Sequence, residues 1–245
     1  KKIMKVLILA AGIGKRLKSK KPKILLKIGK KTLLERHYEN ITNANINKIG
    51  LVVGYKSKEI EDAVKKIDID NKITIFQNPS FTKGSVLSIT AASKFFESDE
   101  ELILMDGDVL YDKRILQKLI NSNIKNCFLL DRDFDDGDEP VKISIKKNQI
   151  CDFGKKIKKL NDFYGESVGF FKFTFEISKK FLFKAEHIAN LNINEPYEEA
   201  IRFLLYENDL KKFGYEDISA FSWIEIDFPE DLNKAKLKIL PNINE

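Results

Sequence analysis

Along the first half of the chain, short uninterrupted apolar runs alternate with stretches whose apolar residues return every three or four positions. The runs at 3–10, 49–54, 73–76 and 101–105 predict strands covered on both faces, because such strands have no polar side to show. Between them, Ile60, Ala63, Val64 and Ile67 share one helical face, as do Ile115, Leu116, Leu119 and Ile120. Thr32-x-x-Glu35 has the spacing of a capping box, and a further helix is predicted over 84–96. Strand and helix in this alternation imply a mostly parallel sheet with helices on both faces.

From Cys127 onward the pattern changes to consecutive strands near 126–130, 141–146, 149–153 and 167–174, which need antiparallel or mixed pairing. Helices are predicted near 176–189 and 197–206, then a strand over 221–226 and a terminal helix opened by Pro229, a residue suited to a first turn. No repeat or linker interrupts the chain. The expected architecture is α/β and Rossmann-like, a single domain over 1–245 with a core at about 1–125 and an inserted β-rich half at about 126–245.

Composition narrows the class. With 43% apolar and 33% charged residues the chain is not of the disordered type. Val6 to Ala11 is the longest apolar stretch near the start, far below the roughly 20 residues that cross a bilayer. The basic start runs into Lys15-Arg16 without a small-x-small cleavage site, so a cytoplasmic protein with no membrane partner is expected. Cys127 and Cys151 lack metal or redox spacing and read as buried thiols; His37 and His187 read as packing or surface residues. The net charge of +6 suits an anionic partner, but the lysines between 18 and 31 lack interleaved aromatics, so no nucleic acid is expected.

Ligands of open α/β sheets bind beyond the carboxyl ends of the strands, here at "AGIGKRLKSKKPK", "QNPSFTKGS" and "DGDV". Gly12-x-Gly14 is no dinucleotide fingerprint, since Leu17 stands where a third glycine belongs, and no Walker loop, since Arg16 replaces the hydroxyl after Lys15. What remains is a glycine-opened turn followed by Lys15, Arg16 and Lys23, a cation set that suits a triphosphate. Asp108 and Asp227 each end an apolar strand and can converge on a hard cation. The acidic run 131–139 places its glycine one position late for a calcium loop and reads as a lid or solvated hairpin bordering a pocket.

"LAAGIGKRL" followed by "PKILLKIGKKTLLE" resembles the signature of the nucleotidyltransferases that make NDP-sugars and CDP-alcohols. The likeness continues through "VVGYKSKEI", "DGDV", "GESVGFF" and "WIEIDFPEDLNKA", and within the family it is nearest to bacterial cytidylyltransferases of small phosphorylated alcohols, amines or amino acids. It implies that Leu9, Ala10, Ala11, Gly12 and Gly14 lie against base and ribose, that Lys15, Arg16 and Lys23 bind phosphates, and that Gln77, Gly84 and Ser85 contact the base. It also implies Mg²⁺ on Asp108 and Asp227, with Arg16, Lys23, Asp108 and Asp227 catalytic and Asp106 and Asp108 among the nucleotide-binding residues; by its place in the loop Asp106 reads equally as a second metal ligand or a loop cap, and by strand alternation Glu225 can support Asp227. The implied partners are CTP and a small phosphorylated acceptor, with pyrophosphate released, in a role such as cell-surface polysaccharide modification.

For the acceptor, Lys142 and Lys156 are candidates to grip its phosphate, and Tyr197 with Glu198, Tyr164 with Glu166, and Trp223 to meet a cationic end. Gly84 stands where the phosphocholine enzymes are expected to carry asparagine, which leaves a phosphorylated amino acid such as phosphoglutamine open. A sugar-1-phosphate enzyme using UTP or dTTP, a glycosyltransferase and a non-catalytic nucleotide sensor are the other readings.

Overall fold

The computed structural model describes residues 3–207 and 210–244. Strand β1 (Met4–Ala10) is followed by a small hairpin of β2 (Lys27–Ile28) and β3 (Lys31–Thr32), helix α1 (Leu33–Asn43), β4 (Ile49–Val53), α2 (Ser57–Ile67), β5 (Ile73–Gln77) and α3 (Val86–Ala91). Then come β6 (Glu101–Asp106), β7 (Val109–Tyr111), α4 (Lys113–Asn121), β8 (Asn126–Asp131), β9 (Lys142–Lys146), β10 (Gln149–Gly154) and β11 (Phe163–Phe173). The chain closes with α5 (Phe175–Leu191), α6 (Tyr197–Glu207), β12 (Phe213–Asp217), β13 (Trp223–Glu225) and α7 (Pro229–Lys234).

One mixed sheet runs β10-β9-β11-β6-β1-β4-β5, with β8 on the other side of β11 and β12 beyond it. β6, β1, β4 and β5 are mutually parallel, and β11 joins β6 antiparallel. The expected change from parallel to antiparallel pairing after Cys127 is therefore present, within a single sheet. β4 is buried along its whole length, as its unbroken apolar run requires.

The predicted capping box forms: the Thr32 hydroxyl accepts from the Glu35 amide at 3.1 Å while the Glu35 carboxylate accepts from the Thr32 amide at 2.6 Å. The helix predicted over 84–96 is interrupted at Ala92 and ends in a 3-10 turn, Ser93–Phe96. β11 begins four residues before the predicted strand, since 163–166 pair with β9 although Gly165 and Glu166 break the apolar pattern. β7 and β12 escape the pattern, being three and five residues long. β7 pairs antiparallel with β13, opposing Val109 to Glu225, and this short ribbon decides which carboxylates meet.

Both cysteines are buried and free. Among the described residues no helix is long and apolar enough to cross a membrane. Apolar side chains fill both faces of the sheet, and on one of them Phe128 sits at the centre of an aromatic cluster with Phe171 at 5.1 Å, Phe153 at 5.7 Å and Phe173 at 6.0 Å between ring centres. Edge-to-face rings add to the burial term. Phe128→Ala is expected to lower the unfolding free energy by about 3–5 kcal/mol, read from urea denaturation; a loss under about 1 kcal/mol would contradict the packing described.

Candidate active site

The loop after β1 leaves the sheet at Ala11, whose carbonyl accepts from the Tyr55 amide at 3.0 Å. Gly14 then takes a left-handed backbone (φ 65°), which an L side chain would strain, and opens the 3-10 turn Lys15–Leu17. Leu17 and, in a second 3-10 turn, Ile24 bury themselves in the core. These two anchors present Lys15 and Arg16 to solvent and turn Lys23 inward, its side chain only 15% exposed.

The loop after β6 is held from behind. Gly107 donates its amide to the Leu9 carbonyl at 2.9 Å, and its own carbonyl accepts from Nε2 of His37 at 3.2 Å. His37 is fully buried, and burial lowers its pKa to about 4, so it is a neutral support for the loop that carries Asp108. From the opposite side Ile226 donates to the Asp108 carbonyl at 2.9 Å, which sets β13 and its carboxylates alongside. Asp108, Glu225 and Asp227 each offer an oxygen within 4.8 Å of the others. Three hard oxygen donors at this spacing fit a divalent cation of the Mg²⁺ type.

Lys23 bridges the same group. Its ammonium donates to Asp108 at 2.8 Å and also to Asp227. Burial opposes the charge on Lys23, but Asp108 and Asp227 outweigh it and hold its pKa above the usual lysine range. Arg16 lies 4.7 Å over the Phe228 ring and donates to Asp227 and, at 2.7 Å, to Glu139. Hydrogen bonds from Arg16 and Lys155 bring the Glu139 carboxyl down to about 2.

Beside this centre lies a recess of about 630 Å³, bordered by Arg16, Glu139, Lys155, Glu166, Glu198 and Trp223. A cleft of similar volume, about 670 Å³, opens at the far end of the sheet near Ile3 and Glu101, where neither the aspartates nor the glycine loop reach. The first adjoins Arg16 and two of the converging carboxylates, Glu225 and Asp227. Its acids are poorly compensated. Asp106, outside the recess and in contact with Gly169 and Tyr197, is raised well above the carboxylate range by burial, then by Asp108, Glu198 and Glu225, although the Tyr197 hydroxyl donates to it at 2.8 Å. Burial raises Glu198, whose Oε2 has no hydrogen-bond partner, and protein crowding followed by Asp108 and Asp227 raises Glu225, whose side chain still reaches solvent.

Of the other expected residues, Leu9 and Ala10 end β1 and Gly12 is exposed with open space beside it. Gln77 ends β5 and donates to Glu61 at 2.7 Å. Gly84 and Ser85 each bond to the chain around the start of α6: Gly84, half-buried, donates to the Ile193 carbonyl at 2.9 Å with no room for a Cβ against residues 194–195, and the exposed Ser85 accepts at its hydroxyl from the Tyr197 amide at 2.9 Å. Tyr197 is buried and serves Asp106 instead of facing the recess. Lys142 pairs with Asp136 at 2.8 Å, and Lys156 is exposed and outside the recess lining, where its neighbour Lys155 stands instead. Asp131 accepts from Trp223 Nε1 at 2.7 Å. The acidic run 131–139 borders the recess as expected; the Arg16–Glu139 pair, Lys155 and the His37 support were not foreseen, Glu139 being 123 residues from Arg16 with no local spacing to signal the pairing.

A profile of the MobA-like NTP transferase domain matches residues 6–144, more than half of the chain. The chain belongs to this family. It is therefore a nucleotidyltransferase, an enzyme of the EC 2.7.7 type. Among curated family relatives, the CTP:phosphoglutamine cytidylyltransferase of Campylobacter jejuni is 25% identical over 94% of this chain and 98% of its own length. The bifunctional protein GlmU of Aquifex aeolicus is 40% identical over 43% of this chain, which spans 22% of that protein. The fold matches the inositol-1-phosphate CTP transferase from T. maritima (TM-score 0.75, 19% identity, 98% of each chain). It also matches the CTP:phosphocholine cytidylyltransferase from Streptococcus pneumoniae (TM-score 0.73, 17% identity, 96% of this chain and 98% of that one).

Burial, then Asp131 and Asp135, raise Glu166 from 4.5 to about 7. A carboxyl raised on folding binds more protons in the folded state, so its contribution is fully present below pH 4.5 and is lost as pH rises through about 7. Glu166→Gln is expected to melt a few degrees above the wild type at about pH 8 and to lose that advantage at about pH 4. Equal melting temperatures at both pH values would show that Glu166 carries no such burden.

Proposed function

We propose that the enzyme transfers CMP from CTP to a small phosphorylated acceptor that carries an ammonium group, releasing pyrophosphate. A phosphate oxygen of the acceptor forms the new bond to the α-phosphorus, and the bond from that phosphorus to the bridging oxygen of the β-phosphate breaks. An acceptor that arrives as an anion needs no general base, which agrees with a site whose buried histidine is neutral and turned to a backbone carbonyl. Asp108, Glu225 and Asp227 would hold Mg²⁺, which when bound supplies charge neutralisation at the phosphate oxygens. Lys15, Arg16 and Lys23 would stabilise the charge that develops on the transferring and leaving phosphates. The 126–245 half would supply the acceptor side, with Lys155, on the recess wall, taking the phosphate-gripping role first expected of Lys156.

The observation that carries the acceptor class is the surplus of acid in the recess. Among the described residues, ten carboxylates line it against three cations, Arg16, Lys155 and Lys234, and two of those carboxyls, Glu166 and Glu198, are raised above the usual range chiefly by burial. A cationic head lying between Trp223 and Glu166 relieves that repulsion, whereas a neutral sugar does not. The C. jejuni relative, whose name gives CTP and phosphoglutamine, supports the choice of base and of a nitrogen-bearing acceptor.

Pyrophosphate release with Mg²⁺, assayed for CTP, UTP, dTTP and ATP against phosphocholine, aminoethylphosphonate, phosphoglutamine and sugar-1-phosphates, is expected to single out CTP with an amine-bearing acceptor. Asp108→Asn is expected to lower turnover about 1,000-fold or more while the protein keeps its folded circular-dichroism spectrum. Turnover of a sugar-1-phosphate with UTP or dTTP would replace the acceptor reading, and full activity in Asp108→Asn would remove the metal assignment.

A further inference from the structure

Lys23 and a divalent cation claim the same carboxylates. The Lys23 ammonium ties Asp108 to Asp227, residues 85 and 204 positions away from it in the chain, and the second oxygen of Asp227 is taken by Arg16. These are two of the three carboxylates that converge within 4.8 Å. A Mg²⁺-type ion draws its oxygens to about 2.0–2.1 Å and repels any ammonium left bridging them.

Lys23 also has somewhere to go. The aliphatic stem of Lys23 runs beneath the glycine turn, its Cγ and Cε each 3.0 Å from where a Cβ of Gly14 would stand. The base of the side chain is fixed by the 3-10 turn Lys23–Leu25, which buries Ile24. With the stem already against Gly14, rotation about the side-chain torsions would suffice to swing the ammonium off the carboxylates toward the glycine turn.

We propose that Lys23 is the internal counter-ion of the metal site: it pairs Asp108 with Asp227 and passes to the nucleotide phosphates when a divalent ion takes the carboxylates. Arg16 makes the same exchange from Asp227 and Glu139. Metal and triphosphate then bind as coupled events, because each frees the partner that the other needs, and the coupling is reciprocal. The inference rests on Asp108 and Asp227 being metal ligands, as argued above.

The test is Mn²⁺ binding without nucleotide, followed by electron paramagnetic resonance of free Mn²⁺, for the wild type, Lys23→Met, Lys23→Gln, Lys15→Met and Asp108→Asn. Both Lys23 variants are expected to bind Mn²⁺ about five-fold or more tightly than the wild type. Lys15 is exposed and has no ion pair among the described residues, so Lys15→Met is expected to change affinity by less than about two-fold, the screened effect of one surface charge. Affinity in the Lys23 variants equal to or below the wild type, or matched by Lys15→Met, overturns the exchange while leaving the metal ligands in place. Mn²⁺ binding that ignores Asp108→Asn overturns the ligand assignment itself.

Discussion

Everything at the site follows from bringing Asp108 and Asp227 to one place, which like charges resist. The fold does this with backbone: β13 lies along β7, Ile226 donates to the Asp108 carbonyl, and buried His37 holds Gly107 from the other side. Lys23 then neutralises what the backbone has assembled. The attraction within a half-buried ammonium–carboxylate group is less screened than in a surface pair, while the lost hydration of each partner is a cost, so removing one member strands the others. The group also makes the site electrically complete while leaving its charges exchangeable.

The recess beside it is built on the opposite plan. Its carboxylates outnumber its cations, and burial raises Glu166 and Glu198 instead of a partner lowering them. Stability is given up there, as is common where a site is shaped for a ligand rather than for the fold. One centre thus suits phosphate and metal while its neighbour suits a cationic group, and the two adjoin along Glu225, which borders both. Family membership fixes the nucleotidyltransferase chemistry, and this difference in charge along the recess is the basis on which the proposed function favours an ammonium-bearing acceptor.

The sequence made the core legible because its strands are unbroken apolar runs and its helices carry clean three-and-four spacing, as in β4 and α2. The glycine turn, Lys23 and the two aspartates were legible because motif and strand ends mark them. Less visible were the elements whose identity depends on a distant partner. β7 and β12 are strands by virtue of β13 and β8, and the first residues of β11 are ordered by β9. The sequence marks Gly84 and Ser85 as site residues but does not show their bonds to Ile193 and to Tyr197 at the start of α6. Glu139 sits in an acidic run that reads as solvated, and only the folded chain brings it to Arg16. Lys155 and Lys156 are indistinguishable by type and adjacent in sequence, so the geometry alone assigns one of them to the recess.

The most direct measurement of the central claim is the anomalous scattering of Mn²⁺ in crystals grown with CTP. The account predicts a peak coordinated by Asp108 and Asp227, with the Lys23 ammonium moved onto a phosphate oxygen. A peak away from these aspartates, or one beside them with Lys23 still bridging the pair, would contradict it.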